Sequence, residues 1–282
     1  MGTESIEASF LSIFALISFF IFLLVSKHSH KIKGGTLLDK DFLKPQAFHD
    51  TPVTRSGGIA AIISLSIFFY IYYLLYEEVL FNYIFISCSV FTIGFLDDLR
   101  INIKPLSRLI IMILLLFVSI YMLPIKILNV DIPFLSSLMK SHIFSSIFVL
   151  LCFLFVINGA NLIDGFNGLL TINLIIINIV LAYINIENGN LKFSILIISQ
   201  IIILLSFLLF NFPSAKIFLG DSGAYTMGAL VALNTITTNN LNPNISSFFF
   251  CTLLFFFKFS TLIPNSFIIL AFNSLACLCK DS

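Results

Sequence analysis

The chain has 282 residues, 59% hydrophobic and 10% charged, with a mean hydropathy of +1.08 and a net charge of +1. Soluble domains run near 25% charged, so this composition excludes an ordinary water-soluble globule, and the near-zero net charge gives no reason to expect nucleic acid as a partner. The five cysteines form no CxxC pair and sit mostly inside apolar runs, so they read as small membrane-packed residues and not as a metal centre or disulfide frame.

A membrane-crossing helix needs about 20 mostly apolar residues. Taken in chain order, spans are expected near 8–26, 58–76, 79–96, 107–123, 143–158, 166–185, 193–210, 223–238 and 246–270, the last as one long span or two. Glu4 and Glu7 precede the first span and no small-residue cleavage site follows it, so it reads as a retained helix and not a signal peptide. No long polar stretch interrupts the pattern. The expectation is a single integral membrane domain over 1–282, all-α, a polytopic transmembrane bundle of about 9–10 helices.

Alternation of the spans sorts the connections into two sides. The first side takes residues 27–57, 97–106, 159–165 and 211–222; the second takes the N-terminus, Glu77–Glu78, 124–142, 186–192 and 239–245. Lys27, Lys31, Lys33, Lys40, Lys44, Arg55, Arg100, Lys104, Arg108 and Lys216 border the first side, against Lys126, Lys140 and Lys192 on the second. That bias makes the first side cytoplasmic and puts the N-terminus outside.

The polar motifs follow the same division. The first side carries Asp50–Gly58 (DTPVTRSGG), then Gly94–Asp98 (GFLDD), then Asn161–Gly168 (NLIDGFNG), then Phe212–Gly223 (FPSAKIFLGDSG). Asp97 and Asp98 end a helix at the membrane boundary, and adjacent helical side chains point about 100° apart, so the two acids are expected to do different jobs. Packed near Asp164 and Asp221 they would repel unless a cation or protons offset the charge. Mg²⁺ is commonly held by one or two carboxylates plus substrate phosphates. Gly57 and Gly58 would let backbone amides approach anionic oxygens, and Arg55, Lys104 and Arg108 could neutralise phosphate charge. Together these residues imply Mg²⁺-assisted phosphoryl transfer at the membrane surface.

Each feature also has a plainer explanation. An Asp-Asp pair can be a solvated helix end, and a Gly pair a tight packing point. Asn161, Asp164 and Asn167 recur every third residue, so one helix face or a loop broken at Gly165 and Gly168 fits equally. His49 beside Asp50 reads as solvated, and Phe218 as packing. It is the shared sidedness of the four motifs that points to a site.

The ordered set TPVTRSGG, GFLDD, NLIDGFNGL and FPSAKIFLGDSG, covering residues from about 30 to about 235, resembles the polyprenyl-phosphate N-acetylhexosamine-1-phosphate transferases of glycosyltransferase family 4. The TRSGG wording is more similar to the branch that starts O-antigen or other surface polysaccharides than to the peptidoglycan branch. The resemblance implies transfer of N-acetylhexosamine 1-phosphate from a UDP-sugar to undecaprenyl phosphate with release of UMP, in a bacterial inner membrane. It implies that Asp98, with Asp97, orients or deprotonates the lipid phosphate, and that Asp221, with Asn161, binds Mg²⁺ or Mn²⁺. By the same match, Asn161, Asp164 and Asn167 line the nucleotide pocket, Phe218 stacks on uracil, and Arg55, Gly57, Gly58 and Lys104 contact substrate.

Two departures stand out. Asn167 occupies a position where the family carries an acid. The residues after Phe248 lack the family's histidine-rich loop, and the four histidines are His28, His30, His49 and His142, so the tail reads as truncated, frame-shifted or divergent. The competing classes are a transporter or flippase, an intramembrane aspartyl protease and an inactive homologue. A transporter built on inverted repeats is disfavoured because no internal repeat is evident. A protease would leave the extra Asp-Asp pair and the glycine loops unexplained.

Overall fold

A computed structural model describes residues 3–28, 37–39, 53–99, 104–123, 125–128, 130–247 and 250. Among these, nine helices follow one another: α1 (Thr3–His28), α2 (Gly57–Tyr76), α3 (Phe81–Asp98), α4 (Pro105–Met122), α5 (Pro133–Met139), α6 (His142–Ile163), α7 (Leu169–Glu187), α8 (Leu191–Asn211) and α9 (Gly220–Leu241). Two short strands, β1 (Leu38–Asp39) and β2 (Val53–Thr54), pair antiparallel. Six helices are long and apolar enough to cross a bilayer: α1 from Glu7, α2, α4, α6, α7 and α8. The chain is an all-α, multi-pass membrane protein.

The eight spans expected before residue 240 each find a helix, with ends displaced by a few residues. One internal displacement is instructive. The seventh helix was expected from residue 166, but it starts at Leu169, after Gly168 with φ of 75°. α6 stops at Ile163, so Asp164–Gly168 forms a turn and not a continued helix, settling the choice left open by the threefold spacing. The short α5 was missed because seven residues carry too little periodicity to register. The ninth expected span, 246–270, falls almost entirely outside the described residues, as do His49, Asp50 and the tail.

α3 and α9 are absent from the six apolar crossings, yet α9 lies at the centre with α3 packed closely against it. α9 is buried along nearly its whole length. It can carry Asn234, Thr235, Thr238 and Asn239 because protein, not lipid, surrounds it. Asn234 Nδ2 donates to Asn178 Oδ1 of α7 at 3.0 Å and to Gln200 Oε1 of α8 at 2.8 Å. Such side-chain bonds tie helices together where burial of apolar area supplies little drive in lipid. The outer helices keep lipid-facing residues such as Leu16, Leu114, Phe155 and Leu209 exposed.

The helix ends separate into two sets, matching the alternation read from the spans. At one end Tyr76 donates to Glu7 at 3.0 Å, Tyr83 reaches Thr237, and Asn240 Nδ2 donates to the Lys126 carbonyl at 2.7 Å. There the Ser246 side chain, and then the Ser247 amide donating at 2.6 Å, hold the Asp131 carboxyl below its ordinary range. At the opposite end lie the described residues of all four polar motifs.

Candidate active site

The site is built where α9 begins. Gly220 has φ of 75°, and a Cβ there would lie 2.7 Å from Asp98 Oδ2, so only glycine lets the chain turn into α9 against that carboxylate. Asp98 is buried. It accepts the Asp221 amide at 2.9 Å, the Ser222 amide at 3.0 Å and the Ser222 hydroxyl at 2.6 Å. A carboxylate on the unsatisfied first-turn amides of a helix is favourable both as a cap and against the helix dipole. Arg55 stands behind it, 4.0 Å away.

Asp97 points elsewhere, as adjacent helical positions require. It is half-buried and paired with Arg108 of α4. The same guanidinium nitrogen lies 3.6 Å from Asp221 Oδ2. The carboxyls of Asp97 and Asp221 are themselves within hydrogen-bonding reach. Two carboxyls from different helices therefore share one arginine at the end of the bundle. Arg108 lies over the ring of Tyr225, 5.9 Å from its centre, and Asn161 Nδ2 donates to the Tyr225 hydroxyl at 3.4 Å.

Asp164 caps the C-terminal end of α6, half-buried and close to Asp221 and Asp98. Burial first, and then those two carboxylates, push its pKa well above the ordinary carboxylate range. A carboxyl whose folded pKa is raised costs stability as pH climbs past its unfolded pKa of about 3.9. Asp164→Asn, which removes that cost, is expected to raise the thermal midpoint of the metal-free protein more at pH 8 than at pH 5. Equal shifts at both pH values, measured in detergent by nanoDSF, would refute the assignment.

The remaining candidates divide. Asn161 joins the cluster through Tyr225. Asn167 Nδ2 donates to the Pro213 carbonyl at 3.2 Å, and Phe218 is half-buried on the loop leading into α9. Lys104 is exposed just ahead of α4, one turn before Arg108. The reading of Gly57 and Gly58 as phosphate-binding amides is corrected: their N–H groups donate to the carbonyls of Phe218 at 2.9 Å and Leu219 at 2.8 Å. The pair is glycine for packing, since a Cβ on Gly58 would sit 2.3 Å from Ser222 Oγ. Both Asp98 oxygens accept from the first turn of α9.

Three participants escaped the sequence reading. Ser222 and Tyr225 follow Asp221 on α9, and Tyr225, four residues on, shares its helix face; that periodicity was the available signal. Asn211 carries no motif at all. Buried, it accepts the Gly168 amide at 2.6 Å and donates to the Ile217 carbonyl at 3.0 Å, stitching two motif loops together.

Residues 79–239, which contain Asp97, Asp98, Asp164 and Asp221, match the profile described as Glycosyl transferase family 4. The phospho-N-acetylmuramoyl-pentapeptide-transferase of Streptococcus thermophilus (strain CNRZ 1066) is 30% identical over 224 residues, covering 73% of this chain and 65% of that protein. The protein of the same name from Clostridium perfringens (strain 13 / Type A) is 34% identical over 149 residues, 50% of this chain and 47% of its own. That from Clostridium botulinum (strain Alaska E43 / Type E3) is 30% identical over 217 residues, 72% and 65%. The chain thus spans slightly less than two thirds of the length of these relatives at most. With the motifs gathered at one end of the bundle and the profile covering the last three of them, the chain belongs to glycosyl transferase family 4.

Proposed function

We propose that this chain is a sugar-1-phosphate transferase, moving an N-acetylhexosamine 1-phosphate from a UDP-sugar to a polyprenyl phosphate such as undecaprenyl phosphate. The observation that carries this reading is the Asp97–Asp221 carboxyl pair under one arginine, at the boundary end of a membrane bundle. In the reaction an oxygen of the acceptor phosphate attacks the sugar-bearing phosphorus of the donor. The bond from that phosphorus to the UMP oxygen breaks, and UMP leaves with the electron pair.

The acceptor is already anionic near neutral pH, so positioning and charge neutralisation matter more than strong base catalysis. Asp97 and Asp221 face the open end, while Asp98 holds the start of α9 and so sets where Asp221 stands. Arg55 and Arg108 are the cations placed to meet phosphate oxygens. Asn161, Asp164, Asn167 and Phe218 would border the nucleotide.

The donor set fits Mg²⁺. Two carboxyls within hydrogen-bonding reach leave an anionic pair that a hard cation can bridge, and no third His, Cys, Asp or Glu completes a cage among the described residues. This matches an ion that keeps substrate phosphate and water as its other ligands. Held by Asp221 and Asp97, with Asn161 nearby, it would neutralise the pyrophosphate and the departing phosphate. The carboxyl pair would also serve an aspartyl protease, but the family match speaks for transfer.

The names of the relatives favour a muramoyl-pentapeptide donor over the surface-polysaccharide branch suggested by TRSGG. The Lys and Arg bias supports placing the site end in the cytoplasm of a bacterial inner membrane. An impermeant maleimide should label Lys140→Cys in intact cells and Lys216→Cys only after permeabilisation; the reverse would overturn this orientation. The test of the reaction is transfer of radiolabelled sugar phosphate to undecaprenyl phosphate with Mg²⁺, offering UDP-N-acetylmuramoyl-pentapeptide and UDP-GlcNAc separately. Lipid product with UMP release is expected; none from either donor would sink the proposal.

A further inference from the structure

We infer that Arg108 is a built-in counter-cation for the Asp97–Asp221 pair, braced by Tyr225, which a divalent cation must displace in order to bind between the two carboxylates. The inference rests on the metal-bearing reading above and goes beyond it by assigning how the site is held before a metal arrives.

The pair is drawn from two helices, Asp97 from the last turn of α3 and Asp221 from the first turn of α9. Left alone, two carboxylates at this spacing repel, and the repulsion would push apart the packed ends of α3 and α9. Arg108, arriving from α4, puts one nitrogen against Asp97 and 3.6 Å from Asp221. It therefore occupies the space between the acids that a bridging cation would take.

Its own position is fixed further by a ring of α9. The guanidinium stacks over the Tyr225 ring, and that ring is steadied by the amide of Asn161 from α6. Arg108 is half-buried, with a side-chain exposure of 27%, so partial withdrawal from water strengthens the clasp. A guanidinium has five donors. Once its hold on the carboxylates is released, it is poised to turn two of those donors onto a phosphate oxygen pair nearby.

The sign of one binding constant separates this role from a merely structural one. If Arg108 competes with the metal, its removal tightens divalent binding; if it only scaffolds the acids, removal weakens binding or leaves it unchanged. Mn²⁺ binding to the purified full chain in nanodiscs, read by EPR of the free ion, is the probe. Arg108→Gln should lower the Mn²⁺ dissociation constant by about tenfold, an effect of the size expected for loss of one adjacent opposing charge. Arg108→Lys, which keeps the charge, should stay near wild type. Tyr225→Leu, which removes the ring face, should tighten binding by a smaller factor, while Tyr225→Phe should not change it.

If wild type binds Mn²⁺ and Arg108→Gln binds equally or more weakly, the counter-cation role is overturned and the metal site stands. If wild type binds no Mn²⁺ at millimolar concentration, the metal reading falls and this inference with it. Should Arg108→Gln fail to fold, Tyr225→Leu decides: unchanged affinity there overturns the proposal.

Discussion

Asp221→Ala is expected to lower Mg²⁺-dependent sugar-phosphate transfer by about 10³-fold or more, the scale on which preorganised charge stabilisation is lost from a transition state. The expectation follows from its place. Asp221 stands in the first turn of α9, its amide held by Asp98 and its carboxyl turned toward Asp97 and Arg108. Deleting the carboxyl removes half of the pair but leaves the amide that Asp98 grips. Folding should therefore survive, with a loss of about 0.3–1 kcal/mol for one acid at a helix N-terminus. A thermal midpoint within a few degrees of wild type would confirm that the variant is intact. Normal turnover by such an intact variant would remove Asp221 from the reacting centre. Asp97→Ala should behave similarly, whereas Asp98→Ala should damage stability first, because three donors of α9 lose a buried acceptor at once.

Gly94→Ala should cause a smaller but still large loss without touching any group that meets substrate. A Cβ on Gly94 would lie 2.5 Å from the Ser222 Cα and 2.6 Å from the Asp221 carbonyl oxygen. Both neighbours are backbone of α9, so no side chain can swing aside and α3 must move away. Overpacking of this kind costs about 1–3 kcal/mol. The movement lies one turn before Asp97 and Asp98, so the carboxyl pair opens and the Asp98 cap stretches. Misplacement of reacting groups by about 1 Å can cost about 10²-fold in rate, and that is the expected fall in kcat. Leu96→Ala is the control, because Leu96 is 41% exposed on the lipid side of the same helix. Equal effects of the two substitutions on kcat would show that close contact between α3 and α9 does not position the site.

The comparison of these two glycine-bearing motifs shows what the residues alone could reveal. Gly57 and Gly58 invited a reading as phosphate-binding amides, because glycine pairs often do that near anions. In three dimensions the same pair lets α2 lie against the 218–223 segment, with both amides donating to its carbonyls. The choice between these roles depends on which backbone comes opposite, and spacing along one chain does not carry that information. Asp97 and Asp98 show the reverse case. Their separation around a helix was enough to expect two jobs, but which acid turned inward depended on the side of α3 that meets α9.

What the order of residues determined by itself was the membrane class, the approximate helices, the alternation of their ends and the gathering of the polar motifs on one side. These follow from local quantities: apolar length sets a crossing, and successive crossings must alternate. Tertiary structure alone decided that the least apolar helix, α9, is the central one, that Asn211 stitches two motif loops, and that Arg108 and Tyr225 belong to the carboxyl cluster. The physical reason is the same for each. A polar residue in a membrane protein is tolerated where partners enclose it, and those partners come from helices far away in the chain.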